Sequence, residues 1–106
     1  MNKRTMYTNI KPSTKNIVYK RDDGKCIFCK KKVSVLNACC HVVPRSKGGL
    51  GKESNIVTLC GICHHLLDFT SSREVMMKQI KNYLKKQYEG WDEKSQIYVK
   101  GGSQNE

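Results

Sequence analysis

The sequence predicts a single small α+β domain held together by a metal. Three observations carry this. The chain has 106 residues, less than one ordinary domain, so it buries a modest share of its surface and needs a staple. Cys26-x-x-Cys29 and Cys60-x-x-Cys63 form two CxxC pairs with 30 residues between them. Short β-branched runs lie between the pairs, and a segment of helical period follows the second.

The elements follow in order. Residues 1–12 are expected to be a flexible basic arm, residues 13–100 the folded domain and residues 101–106 a frayed tail. Ser13 or Thr14 is suited to cap a helix running to about Arg21, with Ile17 and Val18 as its apolar contribution. Asp22-Asp23-Gly24 ends it in a turn before the first CxxC. Residues 38–43 suit a short strand, residues 44–54, with Gly48, Gly49 and Gly51, a loop, and residues 56–59 a second strand. Gly61 to about Thr70 reads as a short helix. The clearest helix runs over 72–88, capped by Ser71 with Glu74 as its capping-box partner. Met76, Ile80, Tyr83, Leu84 and Tyr88 share one face, while Lys78, Lys81 and Lys85 form a row read first as a solvated face. Residues 97–99 are expected to pack back as a strand.

Charge narrows the partner. Residues 1–52 hold 13 basic and 2 acidic groups, whereas residues 53–106 hold 7 of each, so the whole excess of +11 sits in the front half. Such asymmetry predicts a polyanion, most simply nucleic acid. No apolar run approaches a membrane span, and no apolar h-region follows the basic N-terminus. With no export signal, six cysteines read as metal ligands in a reducing cytoplasm rather than as disulfides.

The two CxxC pairs are therefore assigned one structural zinc, held by Cys26, Cys29, Cys60 and Cys63. Disulfides or buried free thiols are the competing reading. Zinc so bound ties residues 26–29 to residues 60–63 and clamps what lies between, which makes that segment the place to look for chemistry. All three histidines, His41, His64 and His65, fall between or beside the pairs. His64 and Asp68 lie one helical turn apart, a spacing that serves either a shared divalent cation or a simple hydrogen bond.

Cys40-His41-Val42-Val43-Pro44-Arg45-Ser46-Lys47-Gly48-Gly49, followed by Asn55-Ile56-Val57-Thr58-Leu59-Cys60-Gly61-Ile62-Cys63-His64-His65, resembles the HNH nuclease motif in its zinc-knuckle form, found in many phage and prophage endonucleases. The resemblance runs from about Lys15 to Tyr98. It takes in Tyr19-Lys20-Arg21-Asp22 before the first pair and Tyr83-Leu84-x-x-x-Tyr88-x-Gly90-Trp91 at the end of the last helix. It implies the ββα-metal (HNH) fold, two strands and a helix around one catalytic divalent cation (Mg2+, Mn2+, Ni2+ or Zn2+), with helices flanking. It implies DNA hydrolysis leaving a 5′-phosphate and a 3′-hydroxyl. His41 takes the place of the general base, Asn55 of the residue that fixes the loop and aligns the His ring, and His64 of a metal ligand. Asp68 stands where some relatives place another ligand.

The chain departs from the pattern at one position. Many relatives carry Asp, Glu or His immediately before the base, as a ligand; here it is Cys40, read as a soft ligand to the catalytic cation or as an inert buried thiol. Arg45, Ser46 and Lys47 follow the base in the loop, where Arg45 is suited to bidentate phosphate contact. Lys30, Lys31 and Lys32 flank the first pair and suit non-specific tracking of a DNA backbone. No aromatics are interleaved with them, so double-stranded DNA is the expected partner. The resemblance also implies the cytoplasm of a bacterial host and a phage packaging or terminase partner. The competing function is a catalytically weak or inactive zinc-knuckle module that binds DNA in a phage assembly or packaging complex.

Overall fold

The computed structural model describes residues 2–100; the tail expected at 101–106 lies outside the described residues. The chain begins with a helix, α1 (Lys3–Thr8), where a flexible arm was expected. Asn2 caps it, its side chain accepting the Thr5 N–H at 2.8 Å. Six residues do not hold a helix in isolation, so α1 depends on its neighbours. The Gly51 N–H donates to the Tyr7 carbonyl at 2.9 Å, and the Tyr7 and Tyr98 rings stack with centroids 5.6 Å apart.

Helix α2 (Pro12–Arg21) starts earlier than Ser13 or Thr14. Pro12 occupies the first turn, where its missing N–H costs nothing, and Lys11 precedes it without a side-chain cap. Val18 is fully buried, but Ile17 is half exposed. The chain then turns through Asp23 and Gly24, both with positive φ, into the first CxxC.

The sheet is an antiparallel pair, β1 (Cys40–His41) and β2 (Ile56–Val57), with Cys40 opposite Val57 and His41 opposite Ile56. Both strands are shorter than the expected 38–43 and 56–59, because side chains and other segments take over the backbone groups beyond the ladder. The Asn55 side chain accepts the Val43 N–H at 2.9 Å. The Asp22 carboxylate accepts the Thr58 N–H at 2.9 Å, and Asn37 exchanges bonds with Leu59. The loop between the strands is ordered by single 3-10 turns at Arg45–Lys47 and Glu53–Asn55. It folds so tightly on itself that a Cβ at Gly49 would lie 1.7 Å from the Val43 carbonyl oxygen.

Helix α3 (Gly61–Phe69) starts at the second CxxC, with Cys60 as its N-cap. Helix α4 (Arg73–Gln87) buries Met76, Ile80 and Leu84, the face its periodicity predicts. Its capping box does not form. Ser72 holds the cap position without a side-chain bond, and the Ser72 N–H goes instead to the Thr70 hydroxyl at 3.1 Å. The strand expected at 97–99 is reduced to a single antiparallel bridge, Ile97 with Gly49, and a bond from Tyr98 N–H to the Gly48 carbonyl at 2.7 Å.

The core gathers around the cysteines: Val42, Val57, Leu59, Leu67, Ile80, Leu84 and Trp91 pack with Cys26, Cys60 and Cys63, while Val18, Ala38 and Ile56 form a smaller cluster. A polar hub fixes α2 to the rest. Arg21 makes a fork to Asp22 at 2.8 and 3.0 Å, donates to the carbonyls of Glu53 and Ile56 at 2.8 and 2.7 Å, and lies against the Tyr83 and Tyr88 rings. The Tyr83 hydroxyl donates to the same carboxylate. Burial alone would lower the Arg21 pKa, but Asp22 and Tyr88 together hold it above its ordinary value.

Candidate metal centre and histidine site

The sulfurs of Cys26, Cys29, Cys60 and Cys63 lie within 4.8 Å of one another. Those of Cys29 and Cys60 are 3.6 Å apart. Thiolates bound tetrahedrally at zinc distance sit about 3.8 Å apart, so the four residues fit that ion. Two local devices aim them. Lys30, at positive φ, turns the chain so that its N–H returns to the Cys26 carbonyl at 3.0 Å. The Cys60 sulfur, at the start of α3, accepts the Cys63 N–H at 3.3 Å. Burial pushes the Cys26 thiol up, but backbone hydrogen bonds from Cys60, Cys29 and Phe28 outweigh it and bring the pKa down to about 7. Burial and the neighbouring sulfurs raise Cys63.

Asn55 is wholly buried and fully bonded. Besides accepting from Val43, its amide donates to the carbonyls of Val43 at 3.2 Å and Leu50 at 2.8 Å. It therefore closes the loop after His41 from within. Its link to the chain beside His41 runs through the backbone: the Val42 N–H donates to the Asn55 carbonyl at 2.8 Å.

His41 is half-buried on β1, and its Nε2 lies 2.9 Å from the Thr8 carbonyl oxygen at the end of α1. Burial lowers its pKa and the Arg45 charge adds to this, against the bond to Thr8. His64 and Asp68 meet on α3, Nε2 to Oδ2 at 3.2 Å, with side chains 35% and 41% exposed. Arg73 reaches the other Asp68 oxygen at 3.5 Å.

The remaining candidates fall into place around these. Cys40 points into the core, 2% exposed, and does not join His64 and Asp68 as a third close ligand. Burial, with Asp68 and Cys39 adding, pushes its thiol up to about 12, as suits an inert buried thiol. Among the described residues the four-cysteine group is the one cluster of three or more Cys, His, Asp or Glu side chains. Arg45, Ser46 and Lys47 are exposed on one 3-10 turn, and Arg45 bonds to the Asn9 side chain. Lys30, Lys31 and Lys32 are exposed at the first CxxC. His65 turns outward and pairs with Phe69, ring centroids 5.1 Å apart.

Sequence reasoning missed the contribution of α1. Arg4 donates to the carbonyls of Arg45 and Ser46, both at 3.1 Å, so the first helix meets the loop that follows His41. The available signal was the Asn2 cap, set in a segment with no apolar periodicity.

Compared with known proteins, the chain matches no family model and no curated protein. Its four-cysteine centre could hold a structural metal such as zinc. Among the described residues, no helix is long and apolar enough to cross a membrane.

Proposed function

We propose that this chain is a metal-dependent endonuclease of the HNH type that hydrolyses phosphodiester bonds of double-stranded DNA. The observation that carries the reading is the order of groups on one β1–β2–α3 unit. His41 lies on β1, Asn55 immediately before β2, and the His64–Asp68 pair on the helix that begins at the second CxxC. The HNH resemblance of the sequence supplies the roles.

His41 takes a proton from water as the general base, and its burial, which lowers its pKa, favours the neutral imidazole that role needs. The water oxygen bonds to phosphorus, and the bond from phosphorus to the 3′ oxygen breaks, leaving a 5′-phosphate and a 3′-hydroxyl. Asn55 keeps the loop closed so that Arg45 and Lys47 stay beside the base, where they meet the phosphates. His64 and Asp68 would hold the catalytic cation. A divalent ion there supplies charge stabilisation at the scissile phosphate and the leaving oxygen. The four cysteines hold a structural zinc that keeps α3 against the strands.

A second reading, a DNA-binding module that does not cut, is favoured by two observations: among the described residues the His64–Asp68 pair has no third close ligand, and Asp68 also faces Arg73. A plasmid-nicking assay with magnesium, manganese, nickel or zinc separates the two. Nicking that follows added metal supports the enzyme. Retained DNA binding with no nicking in any metal selects the module.

A further inference from the structure

Helix α1 lies outside the paired cysteines and before the stretch that resembles HNH nucleases, yet its last carbonyl touches His41. A carbonyl oxygen only accepts hydrogen bonds, so the nitrogen 2.9 Å away, Nε2, carries the proton. In neutral imidazole the lone pair is then on Nδ1. Among the described residues no protein group bonds to that nitrogen.

The Thr8 carbonyl is one of the group that a helix end leaves without intrahelical partners, and Thr8 is buried, so His41 answers a need of α1 as well. Its position is set on several sides. The Gly51 N–H holds the Tyr7 carbonyl at 2.9 Å. A Cβ at Gly51 would lie 2.0 Å from the Asn9 carbonyl oxygen and 2.9 Å from that of Thr8, both backbone atoms. Side chains latch the two segments reciprocally: Arg45 donates to Asn9, and Arg4 donates to the Arg45 and Ser46 carbonyls. The loop so gripped is the one that Asn55 clamps from inside.

We propose that α1 sets the tautomer of the base. The Thr8 carbonyl holds His41 as its Nε2–H form, which leaves Nδ1 as the atom that accepts the proton from water, and Gly51 is the positioning residue that lets α1 approach closely enough. This rests on the reading of His41 as a general base and extends it to a segment beyond the motif. The wrong tautomer presents an N–H where a lone pair is needed, so α1 is required for rate as well as for packing.

The test uses the full chain with 15N-labelled histidine, free of DNA, in a long-range 1H–15N imidazole spectrum. The parent is expected to show His41 as the Nε2–H tautomer at neutral pH. Gly51→Ala is expected to give a mixture of tautomers and nicking roughly 100-fold slower, with the zinc content unchanged. Should Gly51→Ala fail to fold, Arg4→Ala loosens the same latch from the surface and is expected to shift the tautomer balance in the same direction. A parent spectrum showing the Nδ1–H tautomer overturns the proposal. So does a folded Gly51→Ala that loses activity with an unchanged Nε2–H signal, because the loss then runs through something other than the tautomer. A parent with the expected tautomer that nicks DNA in no metal overturns it through its premise, the endonuclease reading, while the spectrum still records the contact.

Discussion

The Asp22 carboxylate accepts the backbone N–H of Thr58 at 2.9 Å, so the residue that caps α2 also ends strand β2. The same carboxylate carries the Arg21 fork, with side chains 0% and 10% exposed for Asp22 and Arg21. Removing one partner of such a pair strands a charge. Asp22→Ala is expected to destabilise the domain by about 3–5 kcal/mol, because it leaves the Arg21 guanidinium buried without its counter-charge. Urea unfolding of parent and variant measures this; a change below about 1 kcal/mol would show that Arg21 is satisfied by its carbonyl partners alone.

Tyr83 adds a pH dependence to this hub. Burial, then its bond to Asp22, raises the phenol to about 12. An unfolded tyrosine ionises near about 10. A group whose folded pKa is raised stabilises fully below the unfolded value and loses that contribution as pH climbs to the folded one. Stability should therefore fall between about pH 10 and about pH 12, and Tyr83→Phe should flatten that stretch of the curve. Denaturation midpoints across the alkaline range, parent against variant, give the comparison.

The metal makes a stronger demand. With so small a core, the binding free energy of a zinc held by the four cysteines would be part of the folding free energy. Cys26→Ser is expected to lose zinc and the cooperative unfolding transition together, and a chelator should unfold the parent. Elemental analysis of the native protein is the first check, and an absence of zinc would end the assignment.

What was legible in the sequence was what short-range chemistry encodes. The CxxC pairs announce a metal centre because two residues between thiolates suffice to aim both at one ion. The apolar period of Met76, Ile80 and Leu84 announces α4 and its buried face. Strand lengths were not legible, since Asn55, Asp22 and Asn37 take backbone groups from the ladder by contacts across 12 to 36 residues of chain. Helix α1 was not legible for the same reason: Gly51, Arg45 and Tyr98 contact that segment, and none is near it in sequence. Cys40 is instructive in another way. Motif position alone leaves it between ligand and inert thiol, and what the structure adds is that its side chain is buried in the core.

The basic front half should make DNA binding steeply dependent on salt, since each neutralised phosphate releases counterions and contributes about 0.9 to the log–log slope. Arg45→Ala should weaken binding and cutting and lower that slope by about 1, because Arg45 lies on the turn after His41 and is exposed. Changes at Lys30 and Lys31 should give smaller, sequence-independent losses. Fluorescence anisotropy across a salt series reads both, and an affinity that does not move between low and moderate salt would remove the electrostatic account.

The roles of the two site histidines separate by metal rescue. His41 is not one of the four clustered cysteine ligands, so His41→Ala should retain zinc, fold and DNA binding while cleavage falls about 100- to 10,000-fold, the usual cost of a lost general base. His64→Ala removes one side of the pair with Asp68 and leaves the carboxylate in place. Its cleavage defect should run through the cation, so raising the metal concentration should restore part of the rate. For His41→Ala the same titration should restore none. Nicking rate against metal concentration, for the parent and both variants, draws the two curves. A folded His41→Ala that cuts at the parent rate takes the base role from His41, and with it the reason to prefer an enzyme over a module that holds DNA without cutting it.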